Sequence, residues 1–239
     1  MLNQILFGKK YAICVFCGKK TLLSKSVFHK GHACVCRKCN SIIKIAPFNL
    51  LHKDAEHISF VVAPLYYSPI VRGAIHNLKF ESMYEISSVL AYYINTYLSV
   101  FEESDDPLLE NFDLIIPVPL SSARQKERGY NQAELLAKHI STHFNIEIDT
   151  TSLIKIRDTL PQSTLTYAEK FQNLNDSYFC TKHFDGKRIL LVDDVCTTGT
   201  TLNSCAKVLK QNGAATVAAI TVAHGGIKKH SQLYNELFS

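Results

Sequence analysis

The chain has 239 residues, of which 46% are hydrophobic and 20% are charged, a composition typical of globular proteins and unlike that of disordered or fibrous chains. The net charge of +5 is unevenly distributed: the first 53 residues contain ten Lys or Arg and no Asp or Glu, and the remainder has a net charge of −5. No apolar stretch approaches the roughly 18–20 residues that span a bilayer, and the first residues lack the pattern of a signal peptide. We therefore predict a basic head (residues 1–53) and a larger body (residues 54–239), in the cytoplasm or peripheral at the inner face of the membrane.

Five of the eight cysteines lie in the head, and in a reducing compartment they need an explanation other than disulfides. Two Cys-x-x-Cys motifs, eighteen residues apart, have the spacing of a four-cysteine zinc ribbon, in which a tight turn points both thiolates of a motif at one tetrahedral ion. Gly18 suits such a turn, because glycine accepts a positive φ. Cys34 is a competing ligand, and a set of buried free thiols is the alternative to a metal. The spacing favours structural Zn²⁺ bound by Cys14, Cys17, Cys36 and Cys39.

The cations of the head have no acidic residue among them in the sequence. They are interleaved with the aromatic residues Tyr11, Phe16 and Phe28, a combination that suits single-stranded nucleic acid, since cations follow the phosphates and rings stack on bases. The alternative is a solvated lysine-rich surface whose aromatic residues fill a small core. The ten cations are Lys9, Lys10, Lys19, Lys20, Lys25, Lys30, Arg37, Lys38, Lys44 and Lys53.

In the body, short apolar runs alternate with segments of helical periodicity. Strands are predicted at 60–67, 114–118, 152–156, 188–192 and 216–222, and helices at 69–78, 82–101, 131–144, 167–174 and 201–211. Residues 102–111 are predicted as an acidic loop, and the segment between 119 and 130 as a polar, basic loop. The alternation predicts an α/β fold whose parallel sheet is covered by helices on both faces, with ligands at the carboxyl ends of the strands.

Residues 189–201, ILLVDDVCTTGTT, are the strongest signal for chemistry. Four apolar residues predict a buried strand that ends in Asp193 and Asp194, and a Thr- and Gly-containing loop then enters a helix. Carboxylates accept hydrogen bonds from ribose hydroxyls or hold Mg²⁺, and the amides and hydroxyls of such a loop bind phosphate. The segment is neither a Walker loop nor a Rossmann fingerprint. An acidic strand end before an ordinary capped helix is the alternative interpretation.

This stretch resembles the signature for 5-phosphoribosyl 1-pyrophosphate (PRPP) of the type I phosphoribosyltransferases. The resemblance implies that Asp193 and Asp194 contact the ribose hydroxyls. It also implies a loop around the 5-phosphate and an earlier loop for the pyrophosphate. The first would consist of Thr197, Thr198, Gly199, Thr200 and Thr201, and the second would include Leu120, Ser121 and Ser122.

Further segments resemble the ComF family of competence proteins. Residues 117–132, PVPLSSARQKERGYNQ, carry this resemblance together with residues 157–165 and 171–174, Tyr66 and the Leu-Lys-Phe at 78–80. Lys170 stands where many family members have Arg. With the cysteine ribbon, the resemblance covers nearly the whole chain and implies a type I phosphoribosyltransferase fold with a small N-terminal zinc-ribbon module. It also implies a role in natural transformation, where imported DNA reaches the cytoplasm as a single strand.

Arg124, Lys126 and Arg128 are candidate catalytic residues beside Asp193 and Asp194, because cations there would bind pyrophosphate as it leaves the anomeric carbon. They suit a DNA backbone equally well, and the sequence leaves both roles open. We expect a protein that handles incoming single-stranded DNA and binds PRPP and Mg²⁺, with other competence or helicase proteins as further partners. The alternatives are an active phosphoribosyltransferase with an unknown acceptor and a PRPP-sensing regulator, so enzymatic activity stays open.

Overall fold

The computed structural model describes residues 11–46, 56–102, 112–156 and 177–225. Three predicted features lie wholly or mainly outside these ranges. They are the acidic loop at 102–111, the helix at 167–174, and the ComF-like segments at 157–165 and 171–174. Within the described ranges, no helix is both long and apolar enough to cross a membrane.

The head is a small mixed sheet followed by one short helix. Its strands are β1 (Tyr11–Cys14), β2 (Lys20–Leu22), β3 (Ser26–Lys30) and β4 (Ala33–Cys36), and the helix is α1 (Arg37–Ile42). The strand order is β2-β1-β4-β3; β1 pairs with β4 in parallel, and the two outer strands are antiparallel to their neighbours. This arrangement brings the end of β1 beside the end of β4, and each of these ends carries a cysteine.

The body is built on a parallel sheet, as predicted. Its strands are β5 (Val61–Val62), β6 (Leu65–Tyr66), β7 (Leu114–Pro117), β10 (Arg188–Cys196) and β11 (Thr216–His224). The order is β5-β11-β10-β7, all parallel, and β6 pairs with the far end of β11. A separate antiparallel pair consists of β8 (Leu153–Lys155) and β9 (Tyr178–Cys180), of which β9 was not predicted.

Helices cover both faces of this sheet, which explains why its strands are apolar throughout. The covering helices are α2 (Pro69–Phe80), α3 (Ile86–Glu102), α5 (Gln132–Phe144) and α6 (Thr200–Gln211), and a further short helix, α4 (Ser122–Arg128), buries no residue. Along β10, Leu190 and Val192 enter the core under α3 and α5, whereas Ile189 and Leu191 enter the core under α6. The two cores hold the carboxyl ends of β7 and β10 side by side.

Three sequence predictions of local structure need correction. Pro64 divides the predicted strand at 60–67 into β5 and β6, because proline cannot donate to a ladder. The helix predicted from residue 82 begins at Ile86, since Ser82 has a φ of 51°. Asp193 and Asp194 lie within β10 and not after it, because pairing with β11 continues to Cys196.

The segment predicted as a basic loop instead contains a helix, α4. Ser121 caps the helix by accepting a hydrogen bond from the Arg124 amide, and the chain leaves it at Gly129. None of the residues of α4 is buried. The helix therefore has no apolar face, and the apolar periodicity from which helices are predicted is absent.

The head packs directly on α3 of the body. Phe28 stacks on Tyr92 with ring centroids 4.6 Å apart, and Phe16 meets Tyr93 edge to face. The Tyr93 hydroxyl donates to Asn40 Oδ1 over 2.8 Å. Buried residues of the head also belong to the core beneath α3, so the two parts share one apolar interior.

Candidate functional site

The four predicted cysteine ligands converge at the ends of β1 and β4. The Sγ atoms of Cys14, Cys17, Cys36 and Cys39 all lie within 4.8 Å of one another. Cys17 Sγ and Cys36 Sγ are 3.9 Å apart, close to the edge of about 3.8 Å that Zn–S bonds of 2.3 Å give in a tetrahedron. Gly18 has a φ of 69°, the left-handed conformation expected after the first motif. Cys34 lies outside this group.

Backbone amides donate hydrogen bonds to two of the four sulfurs. The Cys36 amide donates to Cys14 Sγ over 3.5 Å, and the Cys39 amide donates to Cys36 Sγ over 3.4 Å. Burial raises the pKa of Cys14, but amide hydrogen bonds from Cys36, Cys17 and Phe16 outweigh it and lower the pKa to about 7. A thiolate is the form that binds Zn²⁺, so the donor set suits a closed, structural zinc site.

A second candidate site is a cleft at the carboxyl end of the sheet, which we call the carboxylate cleft. Its volume is about 650 Å³, within the 300–1,000 Å³ typical of small-molecule sites. Strand β10 supplies Asp193 and Asp194, and α2 and α4 supply cations. Its lining residues include Lys79, Phe80, Arg124, Arg128, Tyr178 and Thr197.

Lys79 forms an ion pair with Asp194 inside this cleft. Lys79 Nζ lies 2.8 Å from Asp194 Oδ1, and the Asp194 side chain is only 4% exposed. Asp194 Oδ2 is buried and has no hydrogen-bond partner among the described residues. Burial opposes the charge on Lys79, but the charge of Asp194, its hydrogen bond and the charge of Asp193 together outweigh burial and raise the Lys79 pKa. One carboxylate oxygen is thus neutralised, while the other is left to accept a hydrogen bond.

The same surroundings disfavour the charged form of Asp193. Burial, and next the negative charge of Asp194, raise its pKa to about 7, although Lys79 acts in the opposite direction. Its Oδ1 accepts a hydrogen bond from the Asp194 amide over 2.8 Å. A divalent cation or a ribose hydroxyl at this position would favour the charged form.

Arg128 of α4 faces the carboxylates across the cleft. Its guanidinium lies 4.8 Å from the centre of the Phe80 ring, and one terminal nitrogen donates to Gln132 Oε1 over 3.0 Å. The Nε atom is buried without a hydrogen-bond partner among the described residues, and burial lowers the Arg128 pKa. A cationic donor held in this way suits an anionic oxygen of a ligand.

The Thr- and Gly-containing loop forms a recess of about 30 Å³ beside the cleft. Gly199 has a φ of 74° at the start of α6, a conformation that turns the chain into the helix. Thr198 Oγ1 and Thr200 Oγ1 lie 2.7 Å apart. Hydroxyls and amides at a helix N-terminus form a suitable site for one phosphate group.

The structure brings most of the predicted site residues together. Asp193, Asp194, Arg124, Arg128, Leu120, Thr197 and Thr201 line the cleft, and Thr198, Gly199 and Thr200 join Thr197 and Thr201 in the recess. Among the described residues, Lys126, Ser121 and Ser122 line neither. Lys126 is exposed on α4, Ser121 is buried as the helix cap, and Ser122 is exposed at the first turn.

Lys79 is the principal cleft residue that the site prediction omitted. Its neighbours Arg72 and His76 on α2 also line the cleft, as does Lys155 at the end of β8. The periodicity of residues 69–78 predicts α2 itself, but only the family-like Leu-Lys-Phe at 78–80 draws attention to Lys79.

Comparison with known proteins places this geometry in a family. The family model for the phosphoribosyl transferase domain matches residues 131–238. The DNA utilization protein YhgH of Shigella flexneri is 34% identical over 151 residues, which are 63% of this chain and 66% of that protein. The match therefore spans slightly less than two thirds of that relative's length.

Two further relatives are covered more completely. Competence protein F of Haemophilus influenzae is 33% identical over 168 residues, 69% of this chain and 72% of that protein. Competence protein ComFC of Bacillus subtilis is 30% identical over 217 residues, 88% of this chain and 77% of that protein. With its four-cysteine head and type I phosphoribosyltransferase fold, the chain belongs to the ComF family of competence proteins.

Proposed function

We propose that this protein handles single-stranded DNA during natural transformation, binds PRPP with Mg²⁺ in the carboxylate cleft and carries a structural zinc ion in the head. The observation that supports PRPP most directly is the convergence of two carboxylates, a Thr/Gly recess and two arginines on one cleft. We further propose that the head and the body divide at residues 53 and 54 and that the protein works in the cytoplasm or at the inner face of the membrane.

Each part of PRPP has a matching group in the cleft. Asp193 and Asp194 would accept hydrogen bonds from the ribose hydroxyls, and Asp194 Oδ2 has a lone pair for this purpose. The recess at residues 197–201 would hold the 5-phosphate. Arg124 and Arg128 would neutralise the pyrophosphate, for which the Arg128 Nε–H is available. Mg²⁺ would offset the remaining negative charge.

The test of PRPP binding is calorimetric titration with PRPP and Mg²⁺. We expect the double variant Asp193→Asn with Asp194→Asn to bind about 100-fold more weakly, because two charge-assisted hydrogen bonds of about 1.5–3 kcal/mol each are weakened. Asp185→Asn is the matched control, since this carboxylate is 88% exposed on a turn outside the cleft. Equal affinity of the double variant and the control would contradict the assignment.

DNA binding is supported by the charge of the head and by the names of the relatives. Competence proteins and a DNA utilization protein are the described matches, and the head contains ten cations and no acid. Phosphate contacts predict that the affinity for an oligonucleotide falls steeply as salt increases. Binding that is unchanged between 50 mM and 1 M salt would refute this part of the proposal. Other competence or helicase proteins are the partners that we expect to receive the strand.

An active phosphoribosyltransferase is the second candidate, favoured by the apolar part of the carboxylate cleft. The rings of Tyr67, Phe80 and Tyr178 line it in addition to the residues assigned to PRPP, so there are surfaces on which an acceptor ring would stack. Release of pyrophosphate from PRPP in the presence of a panel of bases and amines tests this candidate. Absence of turnover with every acceptor would remove it and leave PRPP binding intact.

A further inference from the structure

The described residues also line a cavity that is larger than the carboxylate cleft. It has a volume of about 1,020 Å³ and lies between β3 of the head and helices α3 and α5 of the body; we call it the head–helix cleft. It shares no lining residue with the carboxylate cleft. A cavity of this size is at the upper limit for small-molecule sites.

Two stacked rings form one wall of this cleft. Phe28 of β3 and Tyr92 of α3 have centroids 4.6 Å apart and planes inclined by 26°, and both rings are half-buried. Tyr92 is fixed from a second side by Tyr93, whose ring meets it edge to face. An aromatic wall that is already held in place loses little conformational entropy when another flat ring packs against it.

The remaining lining residues are basic or carry hydroxyl and amide groups. Lys30, Lys138, His139 and His143 are among them, and none of the thirteen described residues that line the cleft is acidic. Of the acids on adjoining described segments, Glu134 forms an ion pair with Lys138, and Glu85 accepts a hydrogen bond from the His32 amide. The described lining therefore presents basic side chains and hydrogen-bond donors and no carboxylate.

The polar groups of α3 and α5 face one another across the base of the cleft. Ser99 Oγ lies 3.3 Å from His143 Nε2, and Ser87 Oγ lies 3.3 Å from His139 Nε2. Burial, and then the charge of Lys30, lower the His139 pKa. The side chain of Lys30 on β3 is therefore close enough to α5 to act on His139. Lys30 itself is exposed and remains the cation best placed to meet a phosphate.

We propose that the head–helix cleft is the binding site for single-stranded DNA, with a base stacked at Phe28 and Tyr92 and phosphates at Lys30 and Lys138. This inference rests on the proposed DNA-handling function and assigns it a surface. The bases of a duplex are stacked on one another and cannot reach the rings, so the site selects single strands. Of the rings predicted from the sequence, Phe28 lines this cleft and Phe16 does not, although both rings also pack against the core.

The test measures the affinity of the zinc-loaded, full-length protein for a fluorescent oligothymidylate of about 12 nucleotides, within the usual range of single-strand sites. Tyr92→Leu removes the ring and keeps apolar volume; we expect binding to weaken by about 5- to 150-fold. Phe179→Leu is the matched control, because this ring is 53% exposed on β9 and lines neither cleft. PRPP affinity of Tyr92→Leu reports that the fold is intact.

Two charge-reversal variants test the phosphate contacts. Lys30→Glu should weaken binding, and the slope of log binding constant against log salt concentration should become shallower by about one counterion. Lys207→Glu is the control, because Lys207 lies on α6 outside both clefts; this variant should leave the slope unchanged. Crosslinking with 5-iodouracil oligonucleotides should label the peptides of Phe28 or Tyr92.

Three results would overturn the inference: crosslinks only at other peptides, equal affinities for Tyr92→Leu and Phe179→Leu, or competition by polyglutamate as strong as that by the oligonucleotide. The last result would assign the cleft to an acidic protein. If the unaltered protein binds no single strand, the proposed function itself fails, which is a distinguishable outcome.

Discussion

Replacing Lys79 with Met should destabilise the fold by about 2–3 kcal/mol, because it leaves Asp194 buried without its ion pair. At the observed 2.8 Å, the attraction in a medium of effective dielectric constant 20 is about 6 kcal/mol. Part of this is offset by the cost of removing both charges from water, and breaking a fully buried pair typically costs about 3–5 kcal/mol. The Lys79 side chain is 24% exposed, so we place the loss below that range.

Urea denaturation at pH 7.5 measures this loss directly. Lys138→Met is the matched control: its ion pair with Glu134 spans 2.6 Å, but the Lys138 side chain is 56% exposed, so the loss should not exceed about 0.5 kcal/mol. Asp194→Asn in the Lys79→Met background should recover at least about 1 kcal/mol, since the unpaired charge is gone. Equal stabilities of Lys79→Met and the unaltered protein would refute the reasoning.

The remaining predictions concern the metal and the second carboxylate. The purified protein should contain one zinc ion per chain by elemental analysis; Cys17→Ser should lose it and Cys34→Ser should retain it, and the opposite pattern would reassign the ligands. Without ligands, the unfolding free energy should fall as pH rises from about 4 to 7, because the folded state holds the Asp193 proton up to a pKa of about 7 and the unfolded state releases it near 4. Asp193→Asn should remove this decrease and be more stable by about 1–4 kcal/mol at pH 8; a variant whose stability follows the original pH profile would contradict the assignment.

The parallel sheet was predictable because its central strands are buried on both faces. Strands β10 and β11 carry runs of four apolar residues. Such a run predicts a buried strand from the sequence alone, without knowledge of the neighbouring elements. The spacing of the four cysteines was equally informative, since the ligand geometry of a metal site is set locally by two short turns.

Helix α4 and the Lys79–Asp194 pair were not predicted, for different reasons. The helix buries no residue, so only its cap at Ser121 and its end at Gly129 mark it in the sequence. The ion pair joins residues 115 positions apart, and nothing local to either residue specifies the partner. Contacts of this kind depend on how α2 packs against the sheet edge, which a one-dimensional pattern does not contain.

Helix α5 lines both clefts. Its first residue, Gln132, lines the carboxylate cleft and accepts a hydrogen bond from Arg128, and His143 near its end lines the head–helix cleft. At 1.5 Å per residue, these positions are about 17 Å apart along one stiff rod. The Arg128–Gln132 hydrogen bond therefore joins the carboxylate cleft to a helix that also lines the head–helix cleft. Thermodynamic linkage then fixes the form of any coupling: the factor by which PRPP changes the affinity for a DNA strand equals the factor by which the strand changes the affinity for PRPP.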